Sequence, residues 1–272
     1  MTDKQKAINF FIKHTSYTAR DIQDISQLHN GFTNISFKFK TRERKIYQVR
    51  LSKQPDVVDR TNEFKAIKAA NFDYFVYYEP KSGNAIKNWI EGVNPSLQTV
   101  CSNKFLASFA QQITKLHQIK AKEIKHHDYL DCMDKSKLPI RHYQAYMRLI
   151  NKYKKLPLVL SHNDLSPDNL LWNGAEVIFI DYEWARMNNK YWDLANFIRE
   201  TGLPEKHILQ LAKLSNIKDI TTLRAFIYIT TNYALQWTYK MPQTKQILTY
   251  RKQIKTRLEQ YYNRYTCIKS LI

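Results

Sequence analysis

Glycine is scarce in this 272-residue chain: Gly31, Gly83, Gly92, Gly174 and Gly202 are the whole supply. They lie too far apart for the G-x-G-x-x-G dinucleotide turn or the Walker A loop, both of which need several glycines within a few residues. The sequence therefore argues against standard Rossmann dehydrogenases and P-loop NTPases. Cysteine is scarce too. Cys101, Cys132 and Cys267 are scattered and odd in number, which suits neither a disulfide framework nor a zinc site and predicts reduced thiols in a cytoplasmic protein. Long apolar runs are missing. Val177–Ile180 and Ala225–Ile229 are typical of the longest, far short of the ~18–20 residues a bilayer span needs, so no membrane insertion is expected. The polar opening Met1–Lys6 leads into no long apolar region and predicts no signal peptide.

Acidic residues are outnumbered, 24 against 43 Lys and Arg, for a net charge of +19. Such an excess can release counterions from nucleic acid. It can also be a Lys-, Ile-, Asn- and Tyr-rich composition of the kind an AT-rich genome imposes. The clusters Lys38–Lys45, Lys120–Lys125 and Lys152–Lys155 are short, and no RNA-binding signature accompanies them. The sequence favours the second reading and a polyanionic small molecule over nucleic acid as the partner.

Hydrophobic residues at 43% and charged residues at 25% fit a folded chain of one or two domains. The first ninety residues read as strands with one helix. Ile25–His29 precedes Asn30-Gly31, a favoured hairpin dipeptide. Ile35, Phe37 and Phe39 alternate with polar residues, and Ile46–Leu51 alternates after a charged turn at Thr41–Lys45. Asp59–Ala70 reads as a helix, and Phe75–Tyr78 and Ala85–Ile90 as strands joined at Pro80 and Gly83. After Glu91-Gly92 the pattern turns helical: Phe105, Phe109, Ile113 and Leu116, then Tyr143, Met147 and Ile150, then most of the chain from Lys190 on. The expectation is an α+β chain, with a small antiparallel β lobe over residues 1–91 and a larger, mainly helical lobe over residues 92–272.

The densest chemistry lies between Leu158 and Asp193. Leu158-Val159-Leu160 runs into Ser161-His162-Asn163-Asp164, and Asn169 follows five residues after Asp164. Leu170-Leu171-Trp172, Asn173-Gly174 and Val177–Ile180 form a hairpin pattern ending at Asp181. Folding that hairpin brings Asn169 beside Asp181, with Asp164 on the loop before. Mg²⁺ prefers such oxygen ligands, one or two carboxylates plus phosphate oxygens. Asp164 is left to accept a proton from a hydroxyl, and its spacing to Asn169 equals that of the protein-kinase catalytic loop. Phosphoryl transfer needs mainly positioning and charge neutralisation, so a sparse site suffices.

The stretch Ser161–Leu171 resembles the catalytic loop of the aminoglycoside-phosphotransferase/choline-kinase superfamily. Ile180-Asp181-Tyr182-Glu183-Trp184, then Asp193-Leu194-Ala195-Asn196 and Glu200, resemble its choline/ethanolamine kinase branch more closely. Leu28–Asn34 is similar to the family's nucleotide loop, Tyr47–Leu51 to the strand with the nucleotide-binding basic residue, Asp59–Glu63 to the helix whose Glu pairs with it, and Trp89-Ile90-Glu91-Gly92 to the inter-lobe hinge. The resemblance implies a two-lobed protein-kinase-like fold and an ATP- and Mg²⁺-dependent transfer to the hydroxyl of choline or a related amino alcohol. It implies Asp164 as catalytic base, His162 as a brace for the loop, and Asn169 and Asp181 as Mg²⁺ ligands. Asn34, Arg50, Glu63 and the Asn88-Trp89-Ile90 segment would serve ATP, with Arg50 on phosphates and the segment facing adenine. Glu183, Trp184, Glu200 and Trp237 fall at positions for a cationic acceptor, since a cation on a ring gains about 0.5–2 kcal/mol. Ala234 stands where the family has the first Trp of a W-x-x-W wall, and the wall tyrosine falls near Gln253, with Tyr250 one turn away. Ethanolamine, thiamine and an aminoglycoside stay open as acceptors, as does a non-enzymatic basic RNA-binding protein.

Overall fold

A computed structural model describes residues 1–28, 33–53 and 58–265. The Asn30-Gly31 hairpin, most of the Leu28–Asn34 loop and Cys267 lie outside the described residues. The chain divides into two units: Met1–Glu91 with Lys122–Ile124 and Asp181–Ala185, and Gly92–Ala121 with Lys125–Ile180 and Arg186–Ile272.

The smaller unit opens with a helix that the sequence reading missed, α1 (Asp3–His14), capped by the Thr2 hydroxyl, which accepts from the Gln5 amide at 3.2 Å. Its buried residues are Ala7 and Phe11 alone. One narrow apolar stripe in a polar stretch is a weak periodic signal, and the surface it covers supplies the stability the helix lacks by itself. That surface is a five-stranded antiparallel sheet of β1 (Ile22–Gln27), β2 (Asn34–Thr41), β3 (Ile46–Ser52), β4 (Phe75–Tyr78) and β5 (Ala85–Asn88), in the order β1-β2-β3-β5-β4. The alternation expected for Ile35, Phe37 and Phe39 holds. With Tyr47, Val49, Leu51 and Ile86 they bury one face against Ala7 and Phe11, each large side chain contributing about 1.5–3 kcal/mol. On the other face, the pairs Ser36↔Arg50, Lys38↔Gln48 and Gln48↔Lys87 line up polar side chains. Helix α2 (Arg60–Ala70) starts at Asp59, whose carboxylate accepts from the Asn62 amide at 2.9 Å, and stops at Asn71 with φ of 52°.

The larger unit holds α3 (Leu97–Val100), α4 (Asn103–Gln118), α5 (Ile140–Tyr153), α6 (Tyr191–Thr201), α7 (Glu205–Leu214), α8 (Ile220–Lys240) and α9 (Lys245–Arg264). The expected apolar spacing of α4 places Phe109 against Phe197 of α6, ring centroids 4.0 Å apart. Two small antiparallel pairs complete it. β6 (Leu158–Ser161) pairs with β9 (Arg186–Asn189), and β7 (Leu170–Trp172) with β8 (Val177–Phe179). The hairpin turn forms as read, the Asn173 side-chain Oδ1 accepting from the Ala175 and Glu176 backbone amides at 2.9 Å. Among the described residues no helix is long and apolar enough to cross a membrane.

Candidate active site

In the larger unit the chain leaves β6 through Asn163, whose φ of 65° asparagine tolerates better than most residues. The loop is fixed from behind by Asp193, on the first turn of α6 and fully buried. Its carboxylate accepts from the His162 amide at 3.0 Å and the Asn163 amide at 2.8 Å, and it meets His117 Nε2 at 3.0 Å. A buried carboxylate with this many donors is a compensated charge. From β9, the Asn188 side-chain amide donates to Asn163 Oδ1 at 2.6 Å. Sequence reasoning saw Asp193 only as part of a motif and gave Asn188 no role.

His162 ties two segments together. Its Nε2 lies 2.9 Å from the Ile180 carbonyl, and its Nδ1 lies 3.3 Å from the Asp164 amide. A carbonyl only accepts and an amide N–H only donates, so the ring is the neutral Nε2–H tautomer. Asn169 Nδ2 donates to both the backbone oxygen and Oδ2 of Asp164 at 2.8 Å. Its Oδ1 is therefore the side-chain atom that can serve a cation. The Ile180 amide donates to the Asn169 carbonyl at 3.0 Å, and Asp181 is the next residue in the chain.

In the smaller unit Arg50, 2% exposed, is the hub. Its guanidinium meets Glu63 at 2.7 Å and Asp181 at 3.2 Å, and donates twice to the Gly83 carbonyl at 2.8 and 3.1 Å. Burial opposes the Arg50 charge, but Glu63 and Asp181 outweigh it and keep the group charged. Burial likewise works against Glu63, while Arg50 and Arg60 hold its carboxyl below the usual range. Asp181 has φ of 65° and a side chain 34% exposed, so part of its carboxylate faces outward. Glu183 and Asn34 sit in the same network. Glu183 accepts from Thr33 at 2.8 Å, Asn34 at 2.9 Å and Arg60 at 3.1 Å, and Asn34 Oδ1 accepts from Arg60 at 2.8 Å. Burial and the neighbouring Asp181 push the Glu183 carboxyl up to about 7. Of the three residues read as facing adenine, Asn88 and Trp89 spend their amides on the Tyr74 and Ile46 carbonyls, at 2.7 and 3.0 Å.

The residues read as acceptor contacts divide between the units. Glu183 and Trp184 lie in the smaller one; Asp164, Glu200 and Trp237 lie in the larger. Glu200 Oε1 accepts from Arg199 and from the Tyr250 hydroxyl, both at 2.6 Å. Tyr250 is thus joined to Glu200, a link its sequence offset did not announce. Burial raises the Tyr250 hydroxyl, as do the Glu200 and Asp164 charges. Trp237 is half-buried on α8. Among the described residues no three His, Cys, Asp or Glu side chains cluster as a metal cage. Asn169 in the larger unit and Asp181 in the smaller each offer an oxygen donor of the kind a hard cation takes.

The family described as Choline/ethanolamine kinase matches residues 25–272. An uncharacterized protein of Mycoplasma pneumoniae, the MG356 homolog, is 32% identical over 267 residues, covering 95% of this chain and 93% of that protein. The fold is that of a choline/ethanolamine kinase family protein from Mesorhizobium loti, with a TM-score of 0.75, 17% identity and 93% of both chains covered. The choline kinase LicA from Streptococcus pneumoniae superposes with a TM-score of 0.73 at 16% identity, covering 96% of this chain and 100% of that one.

Proposed function

The chain belongs to the choline/ethanolamine kinase family, and from that premise we propose that it transfers the terminal phosphate of ATP to the hydroxyl of choline or a related amino alcohol. The observation that carries this reading is the Asp164–Asn169 pair, 2.8 Å apart on a loop held by Asp193 and His162.

Asp164 accepts the proton of the acceptor hydroxyl and orients its oxygen for in-line attack. Asn169 and Asp181 hold Mg²⁺, which neutralises charge on the nucleotide's phosphates. Arg50, kept charged by Glu63, meets those phosphates. The backbone at Asn88–Ile90 takes the base, and Asn34, at the start of β2, serves the nucleotide from its network with Glu183 and Arg60. Residues 1–91 then form the nucleotide lobe and residues 92–272 the catalytic and acceptor lobe of a cytoplasmic enzyme. Glu200, with Trp184 and Trp237, draws a cationic acceptor; Glu183, whose oxygens are taken by Thr33, Asn34 and Arg60, supports that side of the site from behind.

ADP release with Mg²⁺ is measured over choline, ethanolamine, thiamine and kanamycin. Stimulation by an amino alcohol is expected. Asp164→Ala should lower kcat by about 10²–10⁴-fold, with unchanged circular dichroism. Full turnover in a well-folded Asp164→Ala protein refutes the assignment. Salt-sensitive RNA affinity with no acceptor-stimulated ADP release points instead to the basic nucleic-acid binder.

A further inference from the structure

Lys87 is a cation that the reaction above leaves unused. It stands on β5 at 5% exposure. Among the described residues its ammonium makes no hydrogen bond and no ion pair, and the Phe75 ring lies 5.0 Å from Nζ. Burial, with Arg50 adding repulsion, pushes it down to about 8, against the pull of Asp181, Glu63 and Glu183. A buried charge without a hydrogen-bonding partner is costly. The Lys87 ammonium is not among the fully enclosed side-chain atoms that lack a partner, so an acceptor arriving on binding can reach it.

The sheet says where Lys87 points. It lies opposite Gln48, and Arg50 lies opposite Ala85, two residue pairs along. Opposed residues, and residues two apart on a strand, share a face. Lys87 and Arg50 therefore project from the same face, and Val49 and Ile86 bury the other against α1. The offset along the strands is about 7 Å at ~3.4 Å per residue, so Lys87 is not a second copy of Arg50. It directly precedes Asn88–Ile90. Among the described residues Ile90 keeps the one amide of that segment with no partner, because those of Asn88 and Trp89 are donated to carbonyls.

On the reading just given, with Arg50 at the phosphates and residues 88–90 at the base, we propose that Lys87 reads the base. Its ammonium donates to the 6-oxo group of guanine or hypoxanthine, and the chain takes GTP or ITP as phosphoryl donor at least as readily as ATP. An ammonium has donors and no acceptor. Adenine shows an amino donor at C6 and guanine an oxygen acceptor. At this position adenine sets donor against donor, whereas a 6-oxopurine completes a charge-assisted bond. The transfer itself is unchanged. The bond between the γ-phosphorus and the β,γ-bridging oxygen breaks, the acceptor's hydroxyl oxygen bonds to that phosphorus, its proton passes to Asp164, and GDP leaves.

The test is calorimetric binding of GDP, IDP and ADP to the full chain and to Lys87→Met, with turnover on GTP and ATP measured in parallel. GDP and IDP should bind the unmutated chain at least as tightly as ADP. Lys87→Met should weaken both by about tenfold or more and leave ADP within about twofold, the loss expected for one hydrogen bond to a charged group. GDP and IDP binding about tenfold weaker than ADP to the unmutated chain overturns the proposal, as does an equal loss of all three in Lys87→Met. If Lys87→Met does not fold, the ranking on the unmutated chain decides, because IDP differs from GDP only in lacking the 2-amino group. Turnover with ATP but a preference for adenine sinks the Lys87 proposal alone. The predicted base ranking without turnover on any acceptor sinks the transfer reading alone.

Discussion

At Gly83, φ is +77° and a side chain would run into Arg60. The carbonyl of the same residue receives Arg50. One position without a Cβ thus lets two arginines share a crowded interior. Alanine there would be strained by its backbone and would push Arg60 away from Glu63 and Glu183, its partners at 2.8 and 3.1 Å. Gly83→Ala is expected to cost about 1–3 kcal/mol, read as a lower urea midpoint at constant m-value. An unchanged midpoint would show that Arg60 relocates freely. The sequence marked Gly83 as a turn residue and nothing more, because Arg60 reaches it from another element. Arg50, Glu63 and Asp181 were legible because each stands in a matched motif. Arg60, inside the same Asp59–Glu63 stretch, was passed over although it binds two carboxylates. Glu183 was legible as a position but not as a contact, since its Thr33, Asn34 and Arg60 partners depend on the folded chain.

Among elements, periodicity separated what could be read from what could not. Helices α4 and α6 and the β7–β8 hairpin follow apolar spacing and an Asn-Gly turn, so their cores were found and only their ends moved. Strand β9 has no such pattern. Its sequence is Arg-Met-Asn-Asn, and its buried members are Asn188 and Asn189. It earns its place through backbone pairing with Leu158–Ser161 and through Asn188, which holds Asn163. The element that matters most to the candidate catalytic loop is the start of α6. Asp193 there satisfies the amides of His162 and Asn163 at 3.0 and 2.8 Å. Asp193→Ala leaves those amides and His117 without their buried acceptor. The expected cost is about 2–4 kcal/mol of stability, with kcat falling while the acceptor KM changes little, because the loop rather than the pocket loosens. Asp193→Asn, which keeps an acceptor oxygen, should recover part of kcat. Equal losses in kcat and 1/KM would place Asp193 at the acceptor instead.

Over the whole molecule, charge is the property the sequence gives directly, and a net +19 bears on encounter more than on chemistry. The basic residues are spread along the chain, so their summed field draws a nucleotide carrying several negative charges from a distance. Screening at 0.15 M salt shortens that reach to about 8 Å. Contacts at buried groups such as Arg50, 2% exposed, are screened far less. The two should therefore separate in a salt titration. From about 0.05 to 0.5 M NaCl the nucleotide KM should rise several-fold while kcat holds, since only the long-range share of binding is lost. Replacing exposed lysines in Lys120–Lys125 by glutamine should flatten that dependence without lowering kcat. A kcat that falls in step with salt would mean that the surface charge acts on the transfer itself. If the same titration with single-stranded RNA gave a steep log–log slope of several counterions, and RNA competed with nucleotide at low salt only, the competition would be field against field rather than for one buried site.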